Sequence, residues 1–109
     1  MSEASNRYPA HGYDLAASIF NVEGADLLVG GVPIREVVAR TGTPAYIYDA
    51  DVMRLTYRRL AGTLAGFADI HYSVKANPHP EVIRLFVEEG AGIEIASVGE
   101  YRAALLAGA

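Results

Sequence analysis

The 109-residue chain contains no cysteine. That excludes disulfides, thiolate metal sites and a cysteine nucleophile within these residues. It has no apolar run of the roughly 20 residues that a membrane-spanning helix requires. Met1 to His11 is polar and lacks a basic segment leading into an apolar one, so it does not read as a secretory signal. There is no excess of positive charge either. Nine basic and thirteen acidic residues leave a net charge of −4, which provides no field to attract nucleic acid or anionic lipid. Neither a nucleic-acid nor a membrane partner is expected, and cytoplasmic residence is the default. No Gly-x-Gly-x-x-Gly follows a strand-like run, and no Walker lysine loop occurs. Gly90-Ala-Gly92 precedes such a run, which is the wrong order for a dinucleotide loop. His11, His71 and His79 do not have metal-ligand spacing, so no metal site is expected.

What is present is an ordinary globular composition. Hydrophobic residues make up 51% and charged residues 20%, enough apolar content to build a core. Residues 1–26 carry Pro9, Gly12, Gly24 and scattered polar groups and read as a tail or irregular lead-in. Leu27 to Val29 reads as a strand and Gly30-Gly31 as a tight turn. Ile34, Val37 and Val38 have helical spacing, and Gly42 stands where a helix C-terminus expects glycine.

Ala45-Tyr-Ile-Tyr48 is aromatic and β-branched, and predicts a strand. Asp49 is a plausible N-cap for a helix over residues 50–65. Met53, Tyr57, Leu60 and Leu64 give that helix one apolar stripe. Ile70 to Val74 predicts the next strand. Pro80 suits a helix start, and Val82, Ile83, Phe86 and Val87 supply that helix with a buried face. Gly92 to Ala96 predicts another strand, and Ser97 opens a final helix. Alternating strands and helices imply parallel strands with helical crossovers, hence an α/β fold.

Lys75 ends one of these strands. In parallel barrels, functional side chains gather at the C-terminal ends of strands. A lysine there can form a Schiff base with an aldehyde cofactor once it loses its proton. Partial burial beside Tyr72 and Val74 is expected to favour that loss. Position alone favours the other reading, a surface lysine just past a strand.

The wider motif separates the two readings. Tyr72-Ser-Val-Lys-Ala-Asn-Pro78 resembles the signature of the alanine-racemase-like, fold-type III pyridoxal-phosphate decarboxylases, usually Tyr-Ala-Val-Lys-Ala/Cys-Asn. Ser73 replaces the usual alanine. Upstream, Gly42-Thr-Pro-Ala-Tyr-Ile-Tyr-Asp49 resembles Gly-Thr-Pro-Leu-Tyr-Val-Tyr-Asp, and Val29-Gly-Gly-Val-Pro33 resembles the preceding segment of the diaminopimelate branch. Downstream, Gly92-Ile-Glu-Ile-Ala-Ser-Val-Gly-Glu100 resembles Gly-Phe-Asp-Val-Val/Ala-Ser-x-Gly-Glu. The similarity covers roughly residues 27 to 109, with the blocks in the family's order.

The resemblance implies the start of a (β/α)8 barrel over residues 45–109, incomplete here, because a whole barrel takes roughly 250 residues. Residues 27–44 are then a lead-in associated with the family's β-rich domain. It implies pyridoxal 5'-phosphate carried by Lys75, the catalytic residue, with Glu94 and Glu100 as further cofactor-binding residues. It implies an amino-acid substrate, meso-2,6-diaminopimelate giving L-lysine, and a homodimer in the intact enzyme. Ornithine, arginine, a polyamine precursor or a siderophore intermediate are alternative substrates, and a non-catalytic assembly fragment is an alternative of another class.

Glu94 stands where the family has aspartate. Its neighbours Ile93 and Ile95 make an unpartnered buried carboxylate unfavourable, so Lys75 is its expected partner. Outward alternation to solvent is the other reading. Glu100 fits both an active-site role and a capping box with Ser97, and the two are compatible. Asn77 is expected to fix the turn after Lys75, and His79 to cap a helix or lie on the surface. Tyr46, Tyr48, Tyr57 and Tyr72 read as packing residues with polar tips.

Overall fold

A computed structural model describes residues 12–109, with side chains described from residue 16 onward. The architecture is mixed α/β, and the chain divides into two units, one ending at Asp49 and one beginning at Ala50.

The first unit contains helix α1 (Gly12–Ile19), strands β1 (Asn21–Glu23), β2 (Asp26–Val29) and β3 (Val32–Pro33), and helix α2 (Ile34–Thr41). The strands form an antiparallel meander in the order β1-β2-β3. Its second turn is Gly30-Gly31, with φ of 59° and 76°. A two-residue hairpin turn with both φ positive matches the right-handed twist of the strands, and glycine adopts it without steric cost. Among the described residues of this unit, Leu28 and Val29 are buried. The Arg35 guanidinium pairs with the Asp26 carboxylate beside them. Gly42 ends α2 as expected: its φ is 76° and its N–H bonds the Val38 carbonyl at 2.7 Å.

Two expectations are corrected here. Residues 12–24 are not irregular, since α1 and β1 occupy them; the rest of that lead-in, residues 1–11, lies outside the described residues. Gly12 and Gly24 mark boundaries, the one opening α1 and the other in the β1–β2 turn. The second correction concerns Ala45 to Tyr48, which is irregular and has no strand beside it among the described residues. Tyr46 is 92% exposed and Tyr48 is exposed too, so neither packs as expected. Strand propensity needs a partner ladder to be realised.

The second unit contains α3 (Ala50–Leu64), β4 (His71–Ser73), a 3₁₀ turn (Val74–Ala76), α4 (Pro80–Glu88), β5 (Gly92–Glu94) and α5 (Val98–Leu106). Strands β4 and β5 are parallel, and α4 is the crossover between them. Helices α3, α4 and α5 lie where the spacing predicts them, and Ser97 is the N-cap of α5 as expected. The core is Val74 and Ile83, both fully buried, with Ala107. Tyr72, Val87, Ile93 and Ala103 pack around it. Complete burial of a residue such as Ile83 contributes about 2–3 kcal/mol. Across α3 and α4, Arg58 grips Glu89 through two bonds of 2.6 and 2.8 Å, and Arg54 approaches the same carboxylate at 3.6 Å. No helix among the described residues is long and apolar enough to cross a membrane.

Candidate active site

The C-terminal ends of β4 and β5 meet at Ser73 and Glu94, which are register partners. The chain then turns through Val74, Lys75 and Ala76. Val74 is buried in the core, and Lys75 is exposed. The turn that carries Lys75 is pinned on both sides. On one side the Tyr72 hydroxyl donates to the Asn77 carbonyl at 3.0 Å, and the Tyr72 ring stacks on Phe86 with centroids 4.3 Å apart. On the other, Asn77 Oδ1 accepts the His79 N–H at 3.0 Å, and His79 Nδ1 accepts the Glu81 N–H at 3.2 Å. Asn77 therefore fixes the turn and His79 caps α4, with Pro80 in the first turn, as the sequence predicts.

The expected burial of Lys75 is not seen. The 3₁₀ turn drives Val74 into the core beneath α4 and α5 and leaves the next side chain in solvent. Nor is Lys75 the partner of Glu94: among the described residues no ion pair or hydrogen bond reaches the Lys75 amine. Glu94 Oε2 instead accepts a hydrogen bond from the Ser73 hydroxyl. Glu94 is exposed, so the cost that led to the lysine pairing does not arise. Sequence reasoning missed Ser73 as a site residue. Its only signal was a hydroxyl where the family pattern has alanine.

Glu100 caps α5, in a modified form of the expected box. The Ser97 hydroxyl accepts the Glu100 N–H at 3.1 Å. The Glu100 carboxylate accepts the N–H of Ala96 at 2.6 Å, one residue before the N-cap. This fixes the Glu100 side chain over the end of β5.

An open groove of about 370 Å³ runs along β4, lined by Met53, Thr56, Tyr57, Leu60, Tyr72 and Phe86 among others. No arginine or lysine lines it, so it provides no cation for a phosphate. The polar groups gather at the strand ends instead. There the lysine amine is open and unpaired among the described residues, the Glu94 carboxylate is bonded to Ser73 across the strands, and hydrogen bonds hold the supporting turn. That donor set fits an aldehyde cofactor held through lysine.

Parallel strands joined by a helical crossover, with polar side chains at the C-terminal strand ends, define an α/β domain. The family described as "Pyridoxal-dependent decarboxylase, pyridoxal binding domain" matches residues 51–109. The chain belongs to this family. It is 33% identical over 93 residues to a diaminopimelate decarboxylase of Zymomonas mobilis, a match covering 82% of this chain and 22% of that protein. It is 40% identical over 85 residues to one of Methanothermobacter thermautotrophicus, covering 75% and 20% respectively. Among solved structures, it is similar to AQ1208 from Aquifex aeolicus, with a TM-score of 0.69 and 31% identity, over 88% of this chain and 24% of that one. The chain thus spans about a fifth of the length of these curated relatives.

Proposed function

We propose that these residues belong to a pyridoxal-phosphate-dependent decarboxylase that converts meso-2,6-diaminopimelate to L-lysine. The observation that carries the reading is Lys75, inside the family's matched region, presented open at the end of a parallel strand. Relatives named as diaminopimelate decarboxylases support the substrate. Parallel β4 and β5 with their crossover support a place early in a (β/α)8 barrel. The same resemblance supports a homodimer, and cytoplasmic residence is kept as the default.

Lys75 would hold the cofactor through its amine, which is open to solvent at the end of β4. When bound, pyridoxal phosphate supplies a conjugated ring that accepts the electron pair left as carbon dioxide departs. Glu94 and Glu100 are cofactor-binding residues in this reading. Each carboxylate is held by a hydrogen bond, so its charge has a fixed position at the strand ends. The hydrogen bonds from Tyr72 to His79 would hold the Lys75 backbone in place for that role.

The test is replacement of Lys75 in the intact enzyme. Lys75→Ala is expected to abolish the visible absorbance of the bound cofactor and to lower carbon dioxide release from meso-2,6-diaminopimelate by at least about a thousandfold. Retention of both would defeat the reading.

A further inference from the structure

Two positions depart from the family's motif, and they are neighbours. Ser73 stands where the motif that this chain resembles has alanine, and Glu94 where it has aspartate. The parallel register places them opposite each other at the last positions of β4 and β5. The Ser73 hydroxyl donates to the Glu94 carboxylate. Glutamate adds a methylene and a further rotatable bond to aspartate, so its carboxylate reaches further and settles less sharply. A hydroxyl bonded to a carboxylate is a charge-assisted contact, stronger than a neutral one. It can hold the longer side chain in one place, as alanine could not.

We propose that Ser73 is a positioning residue and that Ser73 and Glu94 act as one unit, which sets the carboxylate at the strand ends beside the cofactor lysine. The proposal rests on the reading of Lys75 given above. Ser73 ties Glu94 back across the strands, so the carboxylate does not close on the Lys75 amine. Among the described residues that amine has no ion pair, as this arrangement requires. The contact is between substitutions at separate motifs, so each is expected to be harmful alone and tolerated with the other.

The experiment is a double-mutant cycle on the intact enzyme, with two readouts: kcat and KM for meso-2,6-diaminopimelate, and the affinity of the apoenzyme for pyridoxal phosphate. Ser73→Ala and Glu94→Asp are each expected to reduce kcat by about tenfold, with a parallel loss of cofactor affinity. The double variant restores the family pattern and is expected to stay within about threefold of the parent on both readouts. Ser73→Thr keeps the hydroxyl and is expected to behave as the parent. Additive losses in the double variant would overturn the proposal, as would a Ser73→Ala enzyme equal to the parent. Should Ser73→Ala fail to fold, Glu94→Asp and the double variant still decide it, because coupling requires the second to outperform the first. The two ideas fail separately. Retained visible absorbance in Lys75→Ala defeats the cofactor-lysine reading, whereas its loss together with additive Ser73 and Glu94 effects defeats only the coupling.

Discussion

Glu89 is the carboxylate with the strongest electrostatic surroundings outside the site. Its side chain is 11% exposed and lies between Arg54 and Arg58. The hydrogen bonds from Arg58 hold its pKa below the ordinary carboxylate range, against a smaller opposing effect of burial. A carboxylate whose folded pKa is depressed adds stability that is complete above the unfolded value. That value is about 4.3 for glutamate. The contribution then fades as pH falls toward the lower folded value, because the unfolded chain binds the proton first. Glu89→Gln is therefore expected to be less stable than the parent at neutral pH, with the difference closing below about pH 4. Denaturant unfolding of both proteins at several pH values checks this, and a difference independent of pH would refute it. Added salt should narrow the neutral-pH difference, since Arg58 is well exposed. At this scale the sequence was a good guide where a contact is local. Asn77 and His79 bond within two residues, and their roles were readable from turn and cap chemistry. The Ser73–Glu94 bond was not, because it depends on the register of two strands and on neither residue alone.

The elements follow from periodic spacing and end signals, and their fit is tightest where β4 meets β5. His71 and Gly92 are register partners. A Cβ built on Gly92 would lie 2.3 Å from His71 Nδ1, far inside contact distance. Gly92 is thus required by the imidazole beside it. Gly92→Ala is expected to force His71 into another rotamer, at a cost of about 1 kcal/mol. His71→Ala should remove most of that penalty when combined with it. Thermal unfolding of the two single variants and the double variant measures this coupling, and equal destabilisation with and without His71 would show that the clash is not its cause. The same dependence on neighbours explains which elements were legible. Helices α4 and α5 carry their own signals in their N-caps, His79 and Ser97, and α3 in its apolar spacing. The run from Ala45 to Tyr48 has strand composition, yet a strand exists only through a partner ladder, and none lies beside it among the described residues. Helix α1 was obscured for another reason: the glycines that flank it and the following turn read as breakers, though they stand at boundaries.

On the scale of the molecule, the division of labour in the site leads to a prediction for the 109 residues taken alone. In the proposed reading they supply Lys75, Glu94 and Glu100. Between β4 and α4 no arginine or second lysine occurs, and between β5 and α5 there is none. A phosphate carries up to two negative charges and needs cations or a cradle of free N–H groups. In the proposed reading the strand ends provide a covalent handle, with little to hold the phosphate. Helix α5 also exposes Val98, Tyr101, Leu105 and Leu106, an apolar surface of the kind that another element or chain usually covers. Prepared by itself and mixed with excess pyridoxal phosphate, the chain is expected to be tagged at Lys75 after borohydride reduction, with half-saturation in the millimolar range. It should release no carbon dioxide from meso-2,6-diaminopimelate. Peptide mass mapping locates the tag, and labelled-substrate release measures the activity. Tagging spread evenly over Lys75 and the N-terminal amine would mean that the strand end confers no selectivity. Turnover that disappears in Lys75→Ala would mean that these residues already contain the catalytic machinery that the proposed division assigns elsewhere.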